Sequence, residues 1–554
     1  MHVFEIAFRF RDYRLVLLFL AALVGGVALF LRLWPWLQRG RRLAAAVAGL
    51  FVAHLAVLVG WAATIRVDSD EVSHLHCAWL VSQGLAPFRD FWQDHSPALW
   101  YLLAPAVARF DSPAVLIFSR ALASLLFLPL ALAAGWLSWR VFRQRAAAVL
   151  AALILLAHAV LVEAAWLRPD QLANLLALVS LLLACSALGQ GGESVQPATA
   201  GLHTQPAGGL QASPPTSFLA GLAFGVALSF TPKPIFAALA FPVALLVSPG
   251  LGWRGKLGHL LYYLLGGMAG MAPLLALLSR LGILWNWVYW VFLYHAPEGR
   301  VEAYFPAALA LAAIFGCVAA FGATAFPAPS GTHEHAPAAA RNPGAVLVAA
   351  AFLLQTAGGL LNPSRTPSSL MLWVALGAVL ASPWIVGWLA PERPRVQLLA
   401  ASVLILVEIT ALAPLVSRRV LGNFGSDRAR MAWMKQQAGD RPVVLVTPVH
   451  TIFSRDATGL YELWQYSHHL LDPAVAASLS GFASKIVAAR PALIAAAPRR
   501  ITDDPDPGRQ RPRLIDSLAY AGVLSPLDFQ ELQRFLAENY VLREVEGELF
   551  YVRK

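Results

Sequence analysis

Apolar residues in this chain fall in long unbroken runs, not at the three-to-four spacing of an amphipathic helix. Leu15 to Leu33, Leu43 to Ile65, Val115 to Leu137 and Leu260 to Leu278 each carry at most one charge. Each is about 20 residues long, enough to cross a bilayer. A soluble core cannot hide so much uniformly apolar helix. The pattern predicts about twelve membrane helices, with cores near 15–33, 43–64, 113–137, 146–163, 171–188, 218–231, 235–248, 260–279, 306–326, 344–361, 369–389 and 397–416. The shorter cores fall below a comfortable span, so the number is soft by about two.

Composition agrees with insertion. Of 554 residues, 58% are hydrophobic and 13% charged, against about 25% charged in soluble proteins. The net charge of +11 comes from short basic clusters between apolar runs, which is the positive-inside pattern. No basic stripe with interleaved aromatics is present, so nucleic acid is not an expected partner. Arg39, Arg41 and Arg42, then Arg140, Arg143 and Arg145, then Arg254 and Lys256, then Arg393 and Arg395 all fall on one side when helices alternate. That side is cytoplasmic. The opposite side then holds 66–111, 163–170, 231–234, 280–305, the loop around Arg365 and everything after 417. One point disagrees. An even helix count places the N-terminus outside, yet it carries Arg9, Arg11 and Arg14. Either a helix is missed or the first segment does not cross fully. That segment is too long for a signal-peptide core and lacks a cleavage site.

Two connections, 189–217 and 327–343, are rich in Gly, Pro, Ala and small polar residues and read as flexible cytoplasmic linkers. His333 and His335 in the second are read as part of a solvated linker. Three cysteines, Cys77, Cys185 and Cys317, show no metal or disulfide spacing and read as small buried hydrophobes. From about 421 the composition changes. Strands are expected at 442–447, 491–497 and 549–553, with helices at 473–490 and 527–539, which makes 421–554 a small soluble α/β domain.

The most informative polar stretch follows the second apolar run: Asp68-Ser-Asp70-Glu71-Val-Ser-His74-Leu-His76. Three readings suit it. It could cap a helix beginning near Asp70. It could hold a metal through Asp70, Glu71, His74 and His76, although the spacing matches no strong ligand signature. It could supply a general base at a membrane-surface site. The loop continues through Gly84-Leu-Ala-Pro87-Phe88-Arg89-Asp90-Phe91-Trp92-Gln-Asp94-His95-Ser-Pro97, an aromatic, proline-broken pattern suited to short helices along the membrane surface.

This arrangement resembles the GT-C glycosyltransferases: an Asp-Glu pair after an early membrane helix, then Gly-x-x-Pro-Phe-Arg-Asp-Phe, then His-x-Pro. It is most similar to the branch of protein O-mannosyltransferases, aminoarabinose transferases and lipopolysaccharide-core glycosyltransferases. Two further segments agree. Glu163-Ala-Ala-Trp-Leu-Arg168-Pro-Asp170 resembles the second outer acidic element of that family, and Ser229-Phe-Thr-Pro-Lys233-Pro its lysine-bearing turn. The resemblance departs in places. No inserted β-trefoil is visible, the first membrane helix looks like an addition, and the Arg365 loop lacks an expected aromatic residue.

The resemblance implies a GT-C-like bundle in 1–420, with 66–111 as the catalytic outer loop, and an extracytoplasmic domain in 421–554. It implies a multi-pass plasma-membrane enzyme that takes a sugar from a polyprenyl-phosphate carrier. The acceptor would be a glycan, lipid or protein hydroxyl, and the anomeric centre would be inverted. Asp70 would be the catalytic base, with Glu71 beside it and Asp170 in the second acidic element orienting substrates or tuning it. Lys233 and Arg168 would meet the carrier phosphate, with Arg89, His74, His95 and Arg365 as further substrate contacts. No cofactor is required by these residues, a divalent cation being the one addition the acids allow. Two other classes compete. A transporter or flippase of lipid-linked saccharides would show mid-membrane charges and repeat symmetry, and the chain has no visible repeat. A non-catalytic anchor for the C-terminal domain would leave the acidic loop unexplained.

Overall fold

A computed structural model describes residues 42–91, 93–110, 112–159, 163–189, 214–248, 251–293, 342–361, 370–389, 424–444, 452–457, 481–498, 525–545 and 548–554, with a few single residues besides. Among these, five helices are long and apolar enough to cross a bilayer: Ala44–Thr64, Val115–Phe142, Pro169–Leu188, Trp253–Arg280 and Met371–Trp388. On that length and composition the chain is a multi-pass helical membrane protein. The expected spans at 15–33 (apart from Arg32) and 306–326, and most of 397–416, lie outside the described residues.

Contacts divide the chain into two compact units that are not consecutive in sequence. The first comprises residues 1–62, 120–277 and 295–420; the second comprises 63–119, 278–294 and 421–554.

Glycine governs packing in the first unit. Gly221 and Gly225 on the Pro214–Phe230 helix meet Gly266 and Gly270 on the Trp253–Arg280 helix. A Cβ on Gly221 would sit 1.9 Å from the Tyr263 carbonyl oxygen, and one on Gly225 2.1 Å from that of Gly267. One on Gly266 would sit 2.0 Å from the Phe218 carbonyl oxygen. The two helices therefore touch backbone to backbone, the reciprocal form of a Gly-x-x-x-Gly contact. Ser217 and His259 add a 2.7 Å hydrogen bond to the pair. The other face of Trp253–Arg280 exposes Trp253, Leu257, Leu261, Leu264 and Met268, a stripe suited to lipid.

The single helix expected at 235–248 is interrupted, with Ile235–Ala238 and Ala240–Val247 as separate pieces. Pro242 has no N–H to offer the Ala238 carbonyl. The Tyr263 hydroxyl donates to that oxygen at 3.3 Å instead. Both pieces pack on Pro343–Leu361, which also packs on Met371–Trp388. The helix expected over 146–163 stops early, at Arg145–Ala157. Buried Arg120, inside an apolar span, donates to the Ala62 carbonyl at 2.9 Å, near the end of Arg42–Thr64 where carbonyls lack intrahelical donors.

The second unit holds the acidic loop and the C-terminal segments. Ser69–Ser82 and Ala98–Val107 are two short helices packed on each other. The C-terminal segments form a four-stranded sheet from β1 (Val443–Val444), β2 (Leu493–Pro498), β3 (Tyr540–Val545) and β4 (Glu548–Arg553). Its order is β1-β2-β4-β3, with β1 parallel to β2 and the other pairs antiparallel. Met434, Val443, Leu493, Phe550 and Val552 form its core. The strand β3 and the helix Phe424–Ala438 are additions to the elements expected from sequence.

Candidate active site

The acidic loop is organised by its first helix. Asp68 has the extended backbone of an N-cap (φ −93°, ψ 146°), and its carboxylate accepts from the Asp70 N–H at 3.2 Å. Its carbonyl accepts from the Val72 N–H at 3.2 Å. Asp68 therefore satisfies donors that a helix start leaves open. Asp70 and Glu71 fall in the first turn, at the positive end of the helix dipole. Their surroundings differ. Glu71 is fully buried and accepts from the Ser119 hydroxyl at 3.0 Å, whereas Asp70 is partly exposed.

His74 is buried at 2% exposure, and its Nδ1 accepts from Trp100 Nε1 at 3.1 Å, which leaves the proton of the neutral ring on Nε2. The His95 ring stands edge-on to it at 5.0 Å. His95 Nδ1 lies 2.6 Å from Asp94 Oδ1. Buried Gln93 donates to Ser73 at 2.7 Å and so ties this segment to the helix. His76, also fully buried, has Nδ1 2.8 Å from the Ile452 carbonyl oxygen. Burial pushes its pKa down to about 3, so the ring is neutral and Nδ1–H donates to that carbonyl.

Farther along, Phe88 adopts a left-handed backbone (φ 63°), and its carbonyl accepts from Asn286 Nδ2 at 3.1 Å. Asp90 closes the turn by accepting from the Ala86 N–H at 2.7 Å. The Arg89 guanidinium hydrogen-bonds that same carboxylate at 3.0 Å and holds it below the usual carboxylate range. Arg89 is exposed and bonded to its sequence neighbour.

In the first unit the structure brings together two further expected segments. Lys233 Nζ lies 3.0 Å from one Asp170 oxygen and 3.1 Å from the other. Asp170 begins the Pro169–Gly189 helix and is 4% exposed. Arg168 pairs with Glu163 at 3.0 Å and lies over the Trp166 ring at 5.5 Å. Glu163 itself is in the left-handed region (φ 57°). The resemblance implies a carrier phosphate against Lys233; in the fold its ammonium pairs with Asp170.

Arg365 lies outside the described residues. Among the described residues no group of three His, Cys, Asp or Glu side chains could hold a metal ion. Ser119, Gln93, Asp94 and Asp427 have structural parts that sequence reasoning did not assign. Gln93 and Asp94 lie within the motif region, beside His95, and that adjacency is the available signal; Ser119 and Asp427 lie far from it in sequence.

No protein-family model matches the chain. No curated relative matches it. Among solved structures, the oligosaccharyltransferase of Archaeoglobus fulgidus, in its apo form, is similar with a TM-score of 0.42 and 13% sequence identity. The match covers 76% of this chain and 60% of that one, so the chain spans less than two thirds of that protein's length.

Proposed function

We propose that this protein is a membrane glycosyltransferase of the GT-C class. It moves a sugar from a polyprenyl-phosphate carrier to an acceptor hydroxyl on the extracytoplasmic face. The observation that carries the reading is the capped acidic helix start in the loop with the family-like pattern. Asp68 caps the helix, Glu71 is locked to Ser119, and Asp70 alone of the two first-turn acids keeps access to solvent. A general base must reach the proton it removes, and Asp70 is the acid placed to do so.

In the proposed reaction Asp70 takes the proton of the acceptor hydroxyl. The acceptor oxygen bonds the anomeric carbon while the bond to the phosphate oxygen breaks, and the carrier leaves as polyprenyl phosphate. Single displacement inverts the anomeric centre. The leaving phosphate needs no general acid. A separate proposal concerns the second region: Lys233 or Arg168 meets the carrier phosphate, and each must share or exchange its present carboxylate partner to do so.

The test uses the full chain in lipid vesicles with labelled polyprenyl-phosphate sugars and membrane acceptor extracts. Transfer with release of lipid phosphate is expected, and Asp70→Asn should abolish it at unchanged expression. Full activity in Asp70→Asn would remove Asp70 as base.

A further inference from the structure

The second unit joins the acidic loop to segments far along the chain. The Val67 N–H, one residue before the helix cap, donates to Asp427 Oδ2 at 2.8 Å across 360 residues of sequence. Val67 is buried at 2% exposure, so its N–H has no access to bulk water and needs an acceptor within the protein. Asp427 lies in the first turn of Phe424–Ala438, and its other oxygen accepts from Arg430 Nη2 at 2.9 Å. The Arg430 side chain is 7% exposed and that of Asp427 16%. The acceptor is therefore a carboxylate fixed on both oxygens, with little freedom to move.

Two more contacts repeat the link along one face of the loop helix. His76 donates to the Ile452 carbonyl at 2.8 Å. Three residues on, Trp79 meets Phe453 edge to face at 6.3 Å. Residues three apart share a helix face. The helix is thus held at its start by Asp427 and along its length by 452–453.

We infer that Asp427 is a positioning residue: through the Val67 N–H it sets the start of the Asp68-capped helix, and with it the direction of the Asp70 carboxylate. This rests on the glycosyltransferase reading for its catalytic consequence, but not for the tether itself. Asp427 does not act on substrate. It fixes the backbone two residues before the helix and three before the acid.

The experiment compares wild type, Asp427→Ala and Asp427→Asn as full chains in nanodiscs. Asn keeps an oxygen for the Val67 N–H, whereas Ala keeps none. Hydrogen exchange at 66–72 reads the tether directly. Exchange in β2 and β4 reports whether the sheet remains folded, and Arg430→Met provides a second variant that loosens the carboxylate should Asp427→Ala lose the sheet. The expected result is faster exchange at 66–72 in Asp427→Ala, restored largely in Asp427→Asn, with β2 and β4 still protected. Turnover should fall in Asp427→Ala by about tenfold or more, towards the ~100-fold that a 1 Å misplacement can cost. KM for the donor should hold. Unchanged exchange at 66–72 in Asp427→Ala and Arg430→Met would overturn the tether. Faster exchange with unchanged turnover in an active enzyme would overturn the positioning role. A wild type inactive with every donor would instead count against the glycosyltransferase reading, and the exchange result would still decide the tether.

Discussion

The two acidic regions of this protein hold their carboxylates in opposite ways. Around Asp68 to Glu71 the organising feature is a helix start: one acid caps it, one is buried on a hydroxyl, and one stays partly open. Around Glu163 to Asp170 the organising feature is a pair of ion pairs, Arg168 with Glu163 and Lys233 with Asp170. A carboxylate that remains accessible can exchange protons with a bound hydroxyl. A carboxylate locked to a lysine by both oxygens is first a structural and electrostatic element. The two regions therefore offer different chemistry, an accessible acid in one and paired charges in the other.

Asp70→Asn should lower turnover by about 10²–10⁴-fold, the range for losing a general base, with little change in thermal stability. Asp170→Asn should do the reverse in kind. Removing one partner of a buried ion pair costs about 3–5 kcal/mol, so loss of folded protein in a denaturant or thermal series should dominate. Replacing both partners, as Asp170→Leu with Lys233→Met, should recover much of that stability. If the double replacement also keeps turnover, the carrier phosphate does not depend on Lys233.

A control lies in the glycine contact between the Pro214–Phe230 and Trp253–Arg280 helices. Gly225→Leu places its Cβ against the Gly267 carbonyl oxygen and should cost about 1–3 kcal/mol or more. Thermal unfolding in detergent measures it.

A pH effect sharpens the first region further. His76 titrates near 3 in the folded protein against 6.5 for the free side chain. Below about 6.5 the unfolded chain binds this proton and the folded chain does not, so stability falls as pH falls from about 6.5 towards 3. The slope approaches ~1.4 kcal/mol per pH unit within that window. Exchange at 69–82 followed against pH should show it, and His76→Phe should remove it. The smallest expected effect is at Arg89, whose pair with Asp90 is exposed. Arg89→Ala should leave stability unchanged within error, and a large fall in donor affinity would give it a binding role.

Much of the bundle was legible because bilayer thickness imposes a run length that composition reveals directly. The break at Leu239 was not, although Pro242 stood in plain view, because the compensating hydroxyl of Tyr263 comes from another helix. The acidic loop was legible as a site because Asp68, Asp70 and Glu71 cluster within four residues. Its contacts were hidden, since Ser119 reaches Glu71 and Asp427 reaches the Val67 N–H only through the fold. The Lys233 pair was hidden for a similar reason: Asp170 lies 63 residues away. The strand β3 was missed because Tyr540–Val545 exposes most of its side chains and carries Arg543 and Glu544, which conceals the two-residue alternation.

In the proposed reaction Asp70, not Asp170, is the acid that takes the proton. Single-turnover transfer from a labelled polyprenyl-phosphate sugar, measured in Asp70→Asn and Asp170→Asn at matched folded fractions, tests it. Loss of the chemical step in Asp70→Asn, with Asp170→Asn retaining a larger rate, is the predicted result. Equal or faster chemistry in Asp70→Asn than in Asp170→Asn would contradict it.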